Sequence, residues 1–114
     1  MIKGKVVLVP FPFDDLSTTK MWPAVCLTEP IGPHRHVVLA FITSQIPPDL
    51  QETDLVLDAK QADFSMTGLR VSSTLRLHRL MTVSTTISRR ELGELSPGMR
   101  AKVDLKLRRL FNLT

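Results

Sequence analysis

The sequence predicts a mainly β fold: a small, strongly curved sheet or partly open barrel of five to seven short strands, with a C-terminal helix. Three observations carry that prediction. Apolar, β-branched-rich runs recur at 6–9, 23–29, 36–43, 55–57, 71–80 and 81–83, mostly too short for helices. Proline and glycine punctuate the gaps between them, at Pro10, Pro30, Gly32, Pro33, Pro47, Pro48 and Gly68. Only the stretch after Ser96 keeps apolar residues at helical spacing. Short strands with Pro/Gly turns and one closing helix read as a curled sheet.

Each element follows from local chemistry. Val6-Val7-Leu8-Val9 reads as a buried strand between Gly4 and Pro10. Pro10 and Pro12 donate nothing to a ladder, so they put the strand's end at a sheet edge or outside it. Period-two alternation would throw Phe11 and Phe13 to one side. Residues 14–20 are rich in turn formers and read as a loop. In the run 71–80, Leu75 and Leu77 are expected on one face and Arg76 and His78 on the other. Ser88-Arg89-Arg90-Glu91 fits a capping box, with Ile87 and Leu92 as a staple, and predicts a brief helix stopped by Gly93. Ser96 as N-cap and Pro97 at the first position start a longer helix through Phe111. Met99, Val103, Leu107, Leu110 and Phe111 line its apolar face; Lys102, Lys106 and Arg109 line another.

At 114 residues the chain is read as one domain, 1–114, large enough for a single core. No apolar run approaches the length of a membrane span, and no basic-then-apolar leader opens the chain. The single cysteine, Cys26, rules out an intrachain disulfide and fits a reducing cytoplasm; flanked by Val25 and Leu27, it reads as core filler. Fifteen Lys and Arg against eleven Asp and Glu give a net charge of +4, consistent with a polyanionic partner. The charge is uneven: 49–63 carry five acids, whereas 70–109 hold most of the arginines.

Several chemistries lack their residues. There is no CxxC, no HExxH and no phosphate-cradling glycine run. His34 and His36 flank Arg35 beside a turn and read as exposed, so neither metal nor cofactor is expected. Three features remain. Thr43-Ser44-Gln45 sets hydroxyl and amide groups after an apolar strand, suited to phosphate or base edges or simply to a turn. The basic run 70–79 suits a nucleic-acid backbone or an ordinary solvated face. Trp22, Phe11 and Phe13 around a polar loop suit base stacking, or a core or interface.

The stretch GKVVLVPFPFDDLSTTKMWPAVCL resembles the N-terminal signature of the MazF/PemK/Kid family of toxin–antitoxin ribonucleases. That signature runs from Gly through an apolar strand, Pro-Phe-Pro-Phe, a polar loop, basic residues and Pro to a second strand. The likeness continues in VVLAFITSQIP and in TGLRVSSTLRLHRLMTVSTTISRRELGELS, covering nearly the whole chain in order. It implies an SH3-like barrel with a C-terminal helix, a homodimer, and metal-independent cleavage of single-stranded RNA without a cofactor. It also implies neutralisation by a cognate antitoxin. The reaction would be attack of a ribose 2′-OH on the adjacent phosphate, so the protein need only position, move protons and stabilise charge.

Residue by residue, the family's threonine at the end of the third strand falls on Thr43, with Ser44 and Gln45 beside it. The family's catalytic arginine stands immediately before the proline of the second strand, and here that position is Trp22. An indole carries no charge to set against a phosphorane, so Lys20, Arg76 or Arg79 would have to supply it. His78 is a candidate for proton transfer because imidazole titrates near neutrality. On this reading Thr43 and Lys20 are catalytic, and Phe13, Trp22, Ser44, Gln45, Arg76, His78 and Arg79 bind RNA. One alternative is a catalytically silent homologue that binds RNA or an antitoxin. Another is a gyrase poison of the same fold; its relatives rely on a C-terminal tryptophan, whereas this chain ends Leu113-Thr114.

Overall fold

The computed structural model describes residues 1–11 and 20–113. Six antiparallel strands form one curled sheet in the order β4-β5-β3-β2-β1-β6. They are β1 (Lys5–Pro10), β2 (Met21–Cys26), β3 (His36–Thr43), β4 (Asp54–Leu57), β5 (Ser73–Ser84) and β6 (Arg90–Glu94). Helix α1 (Pro97–Leu110) follows. This is the barrel-like β architecture with a closing helix that the strand pattern predicts.

β1 lies inside the sheet rather than at its edge, flanked by β2 and β6. Pro10 is tolerated because β6 pairs only with Lys5 to Leu8, so at Pro10 no ladder on that side needs its missing N–H. Central strands here are apolar on both sides, which explains their near-continuous hydrophobic runs. Val6, Val25, Ala40, Ile42, Leu75 and Leu77 face the interior core with Met99 and Val103 of α1. Val7, Val9, Ala24, Cys26, Leu39 and Phe41 form a second core on the opposite face. Cys26 is fully buried there, and burial pushes its thiol pKa up, as fits an inert core residue.

β5 joins the two runs 71–80 and 81–83 into one strand with a wide bulge. Ala40 pairs with Leu80 but Phe41 pairs with Arg76, leaving 77–79 without partners on β3. The Leu77 N–H donates instead to the Thr53 carbonyl (2.9 Å). Just before the bulge, Arg76 meets Asp54 across β4: Nε reaches Oδ1 at 3.0 Å and Nη2 reaches Oδ2 at 3.5 Å. The Asp54 side chain is fully buried and its Oδ2 also accepts the Gln51 N–H (2.9 Å).

Two expectations need correction. Residues 88–91 do not begin a helix: Ser84, not Ser88, caps a single 3₁₀ turn at Thr85–Ile87, and Arg90–Glu94 pairs with β1 as a strand. The capping-box pattern loses to a ladder that satisfies more backbone groups at once. Phe111 does not complete the apolar face of α1; it is the C-cap and stands 55% exposed. The N-cap holds, with Ser96 Oγ accepting the Met99 N–H (3.1 Å) and donating to Asp63.

Gly93 therefore has a different role from stopping a helix. Its register with Val6 leaves Leu92 as a bulge residue, and a Cβ on Gly93 would overlap the backbone of Met66 and Thr67. Gly68 is the reciprocal case, at φ +73° with its missing Cβ against the Leu92 carbonyl. Two glycines thus let the 3₁₀ turn Phe64–Thr67 lie against β6, joining the two ends of the sheet.

We expect Gly93→Ala to lower stability by about 3 kcal/mol, the upper end for overpacking, because the obstruction is backbone. Gly98→Ala, whose Cβ would meet only ordinary contact in α1, should be neutral or stabilising by about 0.5–1 kcal/mol. Equal melting temperatures for the two variants would contradict the close approach. Asp54→Ala should cost about 3 kcal/mol, since Arg76, a quarter exposed, can turn to water. Arg76→Ala strands a buried carboxylate and should cost more, up to about 5 kcal/mol. Urea titration of both variants decides the order.

Candidate functional site

The second core ends, at the ends of strands β1, β2 and β3, in an aromatic cluster. Trp22 lies opposite Val9 in the β1–β2 register. Phe11 meets the Trp22 ring edge-on (5.8 Å, 74°) and the Phe41 ring likewise (5.3 Å, 62°). Phe41 is buried, while Phe11 and Trp22 are half-buried and form a wall. The Trp22 Nε1 is buried and finds no hydrogen-bond partner among the described residues. A buried donor left without an acceptor carries a desolvation cost, so this N–H stands out among the polar groups of the cluster.

Thr43, Arg76 and Arg79 line the same cleft as Phe11, Trp22 and Phe41. Continuing the β2–β3 register by two steps brings Thr43 opposite Trp22. The Thr43 Oγ1 accepts the Gln45 N–H (3.3 Å), which leaves its O–H free to donate. Gln45 is held by its carbonyl, which accepts from the buried Thr74 hydroxyl (2.9 Å). These hydrogen bonds bear out the turn reading of Thr43-Ser44-Gln45.

The three sequence-predicted cations are unequal. Arg76 is engaged by Asp54 and is fixed at the cleft floor. Lys20 is exposed and its Nζ stands 5.1 Å from the Trp22 ring centroid, a cation–π distance. Arg79 is exposed and makes no ion pair among the described residues. Beside the cleft, Lys20, Met21, Pro23, Ser44 and Gln45 line a depression of about 410 Å³ that shares Trp22, Ile42 and Thr43 with it.

Thr43, Lys20, Trp22, Ser44, Gln45, Arg76 and Arg79 are therefore brought together. His78 is not among the residues lining either recess. It stands exposed on the bulge, with Nδ1 2.7 Å from the Thr53 hydroxyl. Strict alternation would group Arg76 with His78; the bulge groups Arg76 with Arg79 instead. Phe13 lies outside the described residues. Sequence reasoning missed Asp54 and Phe41, whose signals were faint: one acid opening an apolar run, and one aromatic inside another. Among the described residues, no three His, Cys, Asp or Glu side chains stand together as a metal site.

This geometry has relatives. Three solved structures share the fold across nearly the whole length of both chains. An endoribonuclease in complex with its cognate antitoxin, from mycobacterial species, aligns over 100% of this chain and 97% of its own, with TM-score 0.72 and 15% identity. The MazE–MazF complex from Deinococcus radiodurans gives 100%, 97%, 0.72 and 18% for the same measures. The Mycobacterium tuberculosis toxin MazF-mt6 gives 96%, 98%, 0.71 and 19%. No curated protein matches the sequence. A family model does, over residues 2–111, and by that match the chain belongs to the PemK-like, MazF-like toxins of type II toxin–antitoxin systems.

Proposed function

We propose that this chain is an endoribonuclease that cuts single-stranded RNA by transesterification and is restrained by a cognate antitoxin. The observation that carries the reading is that Thr43 and Trp22 line both of two adjoining recesses, with Arg79 in the cleft and Lys20 in the depression beside it. The family membership and the antitoxin complexes of its structural relatives support it. The 2′ oxygen attacks phosphorus, the P–O5′ bond breaks, and the products are a 2′,3′-cyclic phosphate and a 5′-OH. The Thr43 hydroxyl donates to a non-bridging oxygen, and the Trp22 N–H donates to a second acceptor of the nucleotide. Arg79 supplies the charge that the family's arginine would supply from the Trp22 position. Arginine holds its proton too firmly to give it up, so Lys20 is the cleft cation that can protonate the departing O5′. The 2′-OH proton passes to water in the wider depression beside the cleft.

Among the described residues, no helix is long and apolar enough to cross a membrane. We propose the cytoplasm as the place of action, where a lone thiol such as Cys26 stays reduced. We further propose that the chain acts as a homodimer, in which Phe11 or the helix residues Leu105 and Phe111, both about half exposed, contribute contact area. Sedimentation at tens of micromolar should show a dimer; a monomer there would sink the proposal.

The primary test is cleavage of single-stranded RNA of varied sequence with EDTA present. Wild type should cut, and Arg79→Ala and Thr43→Ala should each slow cutting by about 10²–10³. Lys20→Ala should slow it by about 10²–10⁴. That loss should largely vanish on RNA whose leaving oxygen is replaced by sulfur, because a thiolate departs without a proton. Equal slowing on both substrates would restrict Lys20 to a charge role. If wild type binds but does not cut, and Trp22→Arg restores cutting, the chain is a silent homologue and Arg79 has not replaced the lost cation.

A further inference from the structure

The strands that carry the Trp22 cleft on one face carry the open mouth of the barrel on the other. α1 fills the far end of the interior, near Val25 and Leu95, and leaves this end uncovered. The mouth is a recess of about 290 Å³ with Leu8, Pro23 and Ser44 on one side and Leu69, Arg70 and Arg90 on the other. Register fixes part of its width. Arg90 pairs with Leu8 and Leu8 with Pro23, so Arg90 stands two strands, about 10 Å, from Pro23.

The depression at the sheet's end joins the two faces. It shares Trp22, Ile42 and Thr43 with the cleft, and Pro23 and Ser44 with the mouth. One continuous path therefore starts at Arg79, crosses the end of the sheet over Pro23 and Ser44, and finishes between Arg70 and Arg90. Neither of these two arginines makes an ion pair among the described residues, and no acid lines the recess they flank. Of the other surface arginines, Arg100 is matched with Glu94 and Arg109 with Glu52, whereas Arg35, Arg89 and Arg108 are exposed and, like Arg70 and Arg90, make no ion pair among the described residues.

We propose that the barrel mouth is a distal RNA subsite, in which Arg70 and Arg90 hold backbone phosphates and Leu69 and Val71 offer apolar faces to bases. The inference rests on the ribonuclease reading. A scissile phosphodiester has nucleotides on both sides, so RNA seated at Thr43 must leave the cleft along some surface. The path over Pro23 and Ser44 is continuous with the depression beside Thr43 and leads to two unmatched cations that line one recess. An acidic peptide would find the same charges, but it has no scissile bond tying it to Thr43.

The experiment is anisotropy of a labelled 2′-O-methyl RNA of about twelve nucleotides, within the usual span of single-strand sites and lacking the nucleophile. Binding is measured across a salt series for wild type and for Arg70→Ala/Arg90→Ala. A charge-matched control, Lys102→Ala/Arg108→Ala, alters exposed positions on α1. The mouth variant should bind at least tenfold more weakly at low salt. Its slope of log K against log salt should fall by about 1.4, two phosphates at about 0.7 each. The control should keep the wild-type slope, and unchanged melting temperatures show that both variants fold.

If wild type binds and the mouth variant keeps its slope, the subsite is overturned while the ribonuclease reading stands. An equal loss in the control also overturns it, because net charge alone would then explain the effect. Retained RNA binding with lost binding of a polyglutamate peptide would make the mouth a peptide site instead. If wild type binds no RNA at all, the ribonuclease reading fails and takes the subsite with it.

Discussion

The contact between Asp54 and Arg76 organises the functional end of the molecule. A carboxylate with no solvent exposure needs a charged and well-aligned partner, and here it receives the Arg76 guanidinium and the Gln51 N–H. That requirement holds Arg76 as the last residue of β5 still in register with both neighbouring strands. The next three residues bulge, and the bulge turns Arg79 into the cleft where alternation would have sent it toward the core. The pair thus separates a structural cation, Arg76, from Arg79, which makes no ion pair among the described residues.

Trp22 makes sense against that division. A guanidinium at its position would bring charge but little wall. The indole instead packs edge-on against Phe11, an arrangement worth about 0.5–1.5 kcal/mol beyond its buried area. It also lowers the polarity of one side of the cleft, which strengthens the interaction of any remaining cation with a phosphate. What it cannot contribute is charge. The unpartnered Nε1 retains one of the several donors an arginine would have offered. The exchange is chemically coherent only if a cation stands nearby, and Arg79 and Lys20 both do.

Most of the fold was legible in the sequence because its signals were local: β-branched runs, prolines at strand ends, Ser96-Pro97 at a helix start. β6 was not, because 88–91 carries a genuine helix-start pattern that only pairing with β1 overrides. The split of β5 into two runs had the same cause in reverse: a bulge is defined by the partner strand, and β3 is over thirty residues away. At the candidate site, Thr43, Ser44, Gln45 and Trp22 were legible because each follows or opens an apolar run and falls on a motif of the family resemblance. His78 and Arg79 could not be ranked, since the alternation rule fails at the bulge. Asp54 was invisible as a site residue because its partner lies 22 positions along the chain.

The distribution of charge follows from the same long-range pairings. The five acids of 49–63 looked in sequence like an acidic face opposing a basic one. In the fold, three of them have partners within the chain: Asp54 the Arg76 guanidinium, Asp63 the Ser96 hydroxyl, and Glu52, at the surface, Arg109. The Glu52 carbonyl also takes the Lys106 ammonium (2.6 Å). Two of these contacts, Asp54–Arg76 and Glu52–Arg109, set an acid against a cation of β5 or α1. A modest net charge of +4 is therefore not spread evenly. Its unmatched part includes Arg79, Arg70 and Arg90, at the two ends of one path around the open end of the sheet. Screening over about 8 Å at physiological salt keeps such a cluster local, so its field acts on what enters the path rather than on distant anions.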